Sequence, residues 1–307
     1  MFKELQNTLS ETVSFEGIGL HSGKRSKITL IPTYENQGVI FKRVDVKHNN
    51  IIKAHYQNVV SAQLCTTLQN ENGLKVSTVE HLLAALYISG IDNVIVEIDN
   101  EEVPIMDGSA KVFIDKFKTI KVKSLNSKRK YMRILNKVEL VEGKRKISIE
   151  PNNSFEVDFQ LKYENKIIGN QKNSIDFEND NLKEVIESRT FCLFEDIEKI
   201  KKIGLAKGGS LDNAVVVDNN KVLNKNGLRN NNEFVNHKIL DLAGDFLLSG
   251  YRILGKIKCY QGGHELTNLF LRKLISKKLN YSILNTEIKT TRKKIDQFDP
   301  IKLAANA

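Results

Sequence analysis

Residues 77 to 90 read STVEHLLAALYISG, a short apolar helix whose first turn sets a carboxylate, Glu80, directly before an imidazole, His81. An HExxH zinc helix is excluded, because Ala84 and Ala85 stand where its second histidine would fall. Taken alone, Glu80 fits a capping box that reaches back to the Ser77 backbone amide, and His81 fits a satisfied core histidine. Further partners lie far along the chain, where His237, Asp241 and Asp245 stand at i, i+4 and i+8 on one helical stripe. Two nitrogens and a carboxylate, from His81, His237 and Asp241, make a three-ligand set of the kind that holds catalytic zinc and leaves one position for water. The competing reading is a solvated polar face with a His–Asp hydrogen bond. Val235, Ile239, Leu240, Leu242 and Phe246 make the rest of that helix apolar over a wide arc, which favours a stripe lining a cavity. Spacing alone leaves both readings open. His264, in QGGHELTNLF, follows glycines that permit an unusual backbone path and precedes a helix whose N-terminus favours negative charge nearby. Its plainer reading is a turn histidine.

Those groups need elements to hold them. Strand-like segments KITLIP, GVIFKRV and AQLCTTLQ precede the first helix, and NVIVEID, the turn VPIMDGSA and the amphipathic helix KVFIDKFKTI follow it. The basic run KSLNSKRK at 123–130 is the candidate linker. The second half runs through RILNKVEL, KISIEP and FEVDFQLKY to the helix NEFVNHKILDLAGDFLLSG, the strand RILGKIKCY, the turn QGGH and a last helix. Both halves therefore share an order of helix, glycine, strand, Gly-containing turn and helix. His81 lies nine residues before Gly90, as Asp241 does before Gly250. This pattern predicts an α+β fold of two similar domains, each a layered sheet with two helices, packed face to face with the site at their interface. The expected domains are 1–124 and 125–290, leaving 291–307 as a tail without an assigned role.

A chain of 307 residues, 40% hydrophobic and 27% charged, is long enough for two cores. The opening MFKELQNTLS lacks an apolar signal region, and no run approaches the ~20 apolar residues of a membrane span, so a cytoplasmic protein without a transmembrane segment is expected. Cys65, Cys192 and Cys259 are odd in number and far apart, which argues for packed thiols over a disulfide framework or zinc knuckle. The formal charge of +10 raises a nucleic-acid reading. Dispersed lysines, an aromatic share of 7% without tryptophan and the lack of any RNP-like or finger pattern weigh against it. A basic surface instead suits steering of a phosphate-bearing small substrate.

STVEHLLAAL, PIMDGSA, SRTFCLFEDIE, GLAKGGSLDNAVVVD, HKILDLAGD and GGHELTN, in this order and preceded by GIGLHSG, resemble the UDP-3-O-acyl-N-acetylglucosamine deacetylases. These are zinc amidases that commit precursors to lipid A in Gram-negative bacteria. The resemblance runs from about residue 2 to about residue 285. It implies Zn2+ held by His81, His237 and Asp241, with Glu80 as general base and His264 as its protonated partner, oriented by Asp245. It also implies Thr190 as a donor to the oxyanion and Lys238 as a contact to substrate phosphate. Residues 191–217 are expected to form an apolar passage for the acyl chain, against the plainer reading of a surface insertion. Phe191, Gly209 and Ser210 join Lys238 as candidate substrate contacts. The expected partner is UDP-3-O-acyl-N-acetylglucosamine, with no nucleic acid, for a monomer at most peripheral to the inner membrane surface. Glu265, beside His264, departs from the family pattern and brings a carboxylate that could perturb that histidine.

Overall fold

Two sheets share one strand order in the computed structural model, which describes residues 5–285. The 291–307 tail lies outside the described residues. In the first sheet the order is Val13–Ile18, Arg25–Pro32, Val94–Ile98, Val39–Arg43, Ile51–Lys53. Its central strand, Val94–Ile98, pairs antiparallel with Arg25–Pro32 and parallel with Val39–Arg43. Five strands of the second sheet repeat this plan as Val138–Glu142, Arg145–Pro151, Arg252–Tyr260, Phe155–Lys162 and Asn170–Asp176. The long central strand Arg252–Tyr260 is again antiparallel to one neighbour and parallel to the other. Its first residues also pair with Lys130–Ile134, which in turn pairs with Tyr281–Asn285. Burial alternates along Val94–Ile98 and Phe155–Lys162, so one face of each sheet turns to the core. The order expected from the sequence repeat is thus repeated in strand topology, where residue identity is slight.

Six helices occur among the described residues: α1 Glu80–Ser89, α2 Lys111–Ile120, α3 Lys183–Glu187, α4 Phe194–Lys202, α5 Glu233–Leu247 and α6 His264–Ile275. In each half one helix (α1, α5) precedes the central strand and another (α2, α6) follows it. Glu80 through Tyr87 of α1 are all buried, the behaviour of a helix apolar around most of its circumference and covered on several sides. Much of that cover is α5. A side-chain carbon at Gly244 would run into the Glu80 carbonyl oxygen and lie 3.0 Å from the Ala84 amide, so only glycine lets the helices cross here. Gly90 closes α1 in the left-handed region at φ 72°, which a Cβ would oppose.

The basic run 123–130 does not behave as a loose linker. Val122–Lys128 is a strand, antiparallel to Leu5–Leu9. Asp92, just beyond α1, ties the halves again: it accepts from the Asn7 amide at 2.8 Å, Arg129 Nε at 3.0 Å and Arg252 Nε at 3.3 Å. Arg252 also lies over the Tyr87 ring at 4.2 Å and donates to the Tyr87 carbonyl. The three cysteines are free, and burial pushes the Cys65 and Cys259 thiols up to about 12. Removing the carboxylate leaves two buried guanidinium groups with neutral acceptors such as the Gly90 and Tyr87 carbonyls but without the Asp92 charge, so Asp92→Ala is expected to lower unfolding free energy by about 3 kcal/mol. Urea unfolding measures it, and an unchanged midpoint would show that both arginines are satisfied without Asp92.

Candidate active site at the helix crossing

The α1–α5 crossing brings the first turn of one helix against the middle of the other, and the N-terminus of α6 closes on both. Glu80, His81, His237, Asp241, Asp245 and His264 are all buried there. The capping-box reading of Glu80 is overturned. Val79, not Ser77, occupies the N-cap without a side-chain cap, and Ser77 Oγ donates to the Glu101 carbonyl. Thr78 at φ 56° swings the chain into the helix from the left-handed region, its hydroxyl donating to Glu102 at 2.8 Å. The Glu80 side chain consequently points into the crossing, where Oε2 accepts from the Thr66 amide at 3.0 Å.

One carboxylate oxygen organises the donor cluster. Asp241 Oδ1 lies 3.4 Å from His81 Nε2 and 3.3 Å from His237 Nε2, and the three donors fall within 4.8 Å of one another. Two ligands at ~2.05 Å from a tetrahedral zinc ion stand about 3.3 Å apart, the spacing of these O···N pairs. His237 Nδ1 meets the Ser188 carbonyl at 3.2 Å, so the proton sits on Nδ1 and the Nε2 lone pair faces Asp241. Burial lowers His237 to about 3, with Asp241 opposing, and the ring stays neutral as a ligand must. Asp241 Oδ1 is buried with no hydrogen-bond donor, while Oδ2 takes Lys238 Nζ at 3.0 Å. A buried oxygen left without a donor beside two imidazoles fits a cation. Burial alone would raise the Asp241 carboxyl, but His237, Lys238 and His264 outweigh it and hold it well below its usual range.

The second pair sits across the cluster. His264 Nδ1 is 2.8 Å from Asp245 Oδ2, and its Nε2 is 3.8 Å from Glu80 Oε1 and 3.7 Å from Asp241 Oδ2. Burial depresses His264, yet the carboxylates of Asp245, Glu80 and Asp241 overcome it and lift the imidazole to about 9. Burial raises Glu80, with His264 and His81 opposing. Glu265 does not face this histidine. Its exposed carboxylate meets Arg145 at 3.2 Å.

The remaining expected residues flank the cluster. Thr190 is held by backbone bonds to Gly108 and Val215. It lines an apolar cavity of about 340 Å³ with Phe191, Gly209 and Ser210, whose walls include Leu20, Ile197, Ile200 and Val216. The Phe191 ring stands 6.3 Å from His237, which joins cavity and cluster. Lys238 borders a polar recess with Lys144, Arg145 and Lys162. Three participants escaped the sequence reading: Thr66, which bonds both Glu80 and Asp245; Ser188, whose carbonyl sets the His237 tautomer; and His21 on the cavity wall. His21 and Ser188 left a signal, inside GIGLHSG and SRTFCLFEDIE, though neither motif showed its role.

Comparison with known proteins identifies the family. The family model described as LpxC, UDP-3-O-acyl N-acetylglycosamine deacetylase, matches residues 6–276. The chain belongs to this family. Proteins named UDP-3-O-acyl-N-acetylglucosamine deacetylase are similar to it over nearly their whole length. That of Pseudoalteromonas translucida is 42% identical over 274 residues, 88% of this chain and 90% of the relative. That of Geotalea uraniireducens is 40% identical over 280 residues, 91% of each. That of Pasteurella multocida is 42% identical over 274 residues, with 88% and 90% covered.

In this member of the deacetylase family His264 also couples folding to pH. A folded-state value of about 9 against 6.5 makes the protonated ring stabilising; the gain is complete below 6.5 and lost as pH rises through about 9. In metal-free protein the urea midpoint is therefore expected to fall across that window, and His264→Gln to flatten the fall. An equal slope in the variant would assign it elsewhere.

Proposed function

We propose that the chain hydrolyses the N-acetyl group of UDP-3-O-acyl-N-acetylglucosamine, giving acetate and UDP-3-O-acyl-glucosamine, the committed step of lipid A biosynthesis. The observation behind this reading is a cation-fitting donor cluster that shares its chamber with a carboxylate and a cationic imidazole beside an apolar cavity. Two imidazole nitrogens and one carboxylate favour Zn2+ on His81, His237 and Asp241. When bound, zinc supplies a Lewis acid that eases deprotonation of water and polarises the amide carbonyl.

This chain's own groups move the protons. Glu80 has Oε2 tied to the Thr66 amide, so Oε1 is the oxygen that takes a proton from the attacking water. His264 has Nδ1 tied to Asp245, so its Nε2 proton alone is presented to substrate. At 3.8 Å the two are not hydrogen-bonded to each other. His264 and the Thr190 hydroxyl stabilise the oxyanion, and His264 then protonates the leaving amine. The segment 191–217, with Phe191, Gly209 and Ser210, receives the acyl chain in the apolar cavity. Lys238, with Lys144 and Lys162 beside it, receives phosphate.

One chain completes the whole site, which suits a monomer. Its division falls near residue 124, with the 191–217 insert belonging to the second half. A nucleotide-sugar substrate and three free thiols favour the cytoplasm for the reaction. Among the described residues no helix is long and apolar enough to cross a membrane. Exposed Phe194, Ile203 and Leu211 on the insert give it an apolar surface for peripheral contact with the inner membrane.

Acetate release from UDP-3-O-acyl-N-acetylglucosamine is expected to stop on chelation and return with Zn2+; release unaffected by chelation sinks the reading. Alanine at His81, His237 or Asp241 is expected to lower metal content after dialysis, measured by elemental analysis. Glu80→Gln should keep the metal and lose about 10²- to 10⁴-fold in kcat. Shortening the acyl chain tests the cavity. At ~0.8 kcal/mol per buried CH₂, removing four methylenes weakens kcat/KM by on the order of 100-fold. A chain-length-independent kcat/KM would leave 191–217 as a surface insertion.

A further inference from the structure

The segment AQLCTTLQ reads as one strand, yet only Thr67–Gln69 adopts that form. The residues before it take an irregular path, with Leu64 at φ 67°, a conformation that a branched side chain resists. Such backbone persists where its surroundings over-determine it. Here the surroundings are three bonds made by one residue. The Thr66 amide donates to Glu80 Oε2 at 3.0 Å, its hydroxyl donates to Asp245 Oδ1 at 2.7 Å, and its carbonyl accepts from the Val79 amide at 3.4 Å. The residue is buried at 2% exposure, so water does not compete for these bonds.

The two side-chain partners lie on different helices from different halves, Glu80 on α1 and Asp245 on α5. Each is a carboxylate with two oxygens, and in each case Thr66 takes the oxygen that faces away from His264. What remains is Glu80 Oε1, 3.8 Å from His264 Nε2, and Asp245 Oδ2, 2.8 Å from His264 Nδ1. Without the hydroxyl, Asp245 Oδ1 would be a buried anionic oxygen short of its donor. The carboxylate would then be free to turn, and His264 would turn with it.

We infer that Thr66 is a positioning residue that sets the rotational state of Glu80 and Asp245 together, so that base and imidazole acid are aligned across the helix crossing. It touches neither substrate nor the donor cluster in this role. The inference rests on the deacetylase reading for its catalytic consequence, whereas the alignment itself can be observed without turnover.

Thr66→Val keeps volume and the backbone amide but removes the hydroxyl; Thr66→Ser keeps both polar groups. Outer partners of a site typically contribute about 10- to 100-fold, so Thr66→Val is expected to lose that much in kcat with KM and bound metal unchanged. Thr66→Ser should recover to within a few-fold. Added to Asp245→Ala, Thr66→Val should bring little further loss, because it acts through that carboxylate. A purely structural role would instead lower the melting temperature without splitting kcat from KM and without serine rescue. The second readout is the downfield proton resonance of the His264 Nδ1 hydrogen bond, expected to shift or vanish in Thr66→Val and to persist in Thr66→Ser. Wild-type protein that showed this resonance but no deacetylation would count against the proposed reaction, while the resonance still decides the role of Thr66. Should Thr66→Val not fold, Thr66→Ala is compared with Thr66→Ser in the same way. Wild-type kcat and an unshifted resonance in the hydroxyl-free variant overturn the inference, as does a serine variant no better than it.

Discussion

The close approach of α5 to the first turn of α1, at Gly244 against the Glu80 carbonyl, is the contact on which the rest depends. Helices normally pack with axes 8–10 Å apart, held off by their side chains. A glycine at the crossing removes that spacer where Glu80 and His81 leave one helix and Asp241 and Asp245 leave the other. Donors from helices of the two halves then fall within 4.8 Å of one another. Each half buries its own apolar face behind its helix, so the crossing sits on rigid ground and the polar groups are not asked to supply the packing energy.

Burial of so many ionisable groups is tolerable because carboxylates and cations are paired. Asp241 takes Lys238, and His264 stands between Asp245 and Glu80. Tying one oxygen of each carboxylate to the protein leaves the other for chemistry: Oδ1 of Asp241 toward the donor cluster, Oε1 of Glu80 and Oδ2 of Asp245 toward His264. Two imidazoles of one site are separated in protonation by the charges around them. Burial pushes His237 down to about 3, with Asp241 opposing and His81 and Lys238 adding to the fall; His264 rises to about 9 because Asp245, Glu80 and Asp241 together overcome its burial.

The apolar cavity reaches this cluster at Phe191 and the basic recess, with Lys144 and Lys162, reaches it at Lys238. A ligand with a lipid arm and a charged arm is matched in kind by that arrangement.

Much of this was legible in the order of residues. Apolar patterning located α1, α2, α5, α6 and both central strands: burial on one face imposes a period that a local window reveals in α2 and α6, while α1 stands out as a short apolar run closed by Gly90. The i, i+4, i+8 stripe put His237, Asp241 and Asp245 on one face for the same reason, and family motifs joined them to Glu80, His81 and His264. What could not be read was anything that depends on a partner distant in the chain. Ser77-x-x-Glu80 satisfies the local rule for a capping box, but the positive φ of Thr78 and the Thr66 amide turn the glutamate inward. KSLNSKRK has a linker's composition and becomes a strand because Leu5–Leu9 lies beside it. Glu265 stands next to His264 in sequence and points away to Arg145. Thr66 carries no local mark, since its importance lies in meeting two helices from two halves at once. Sequence determined which groups this protein owns and the face each occupies; tertiary structure decided which oxygen, nitrogen and proton each presents, because those choices are made by hydrogen bonds across the helix crossing.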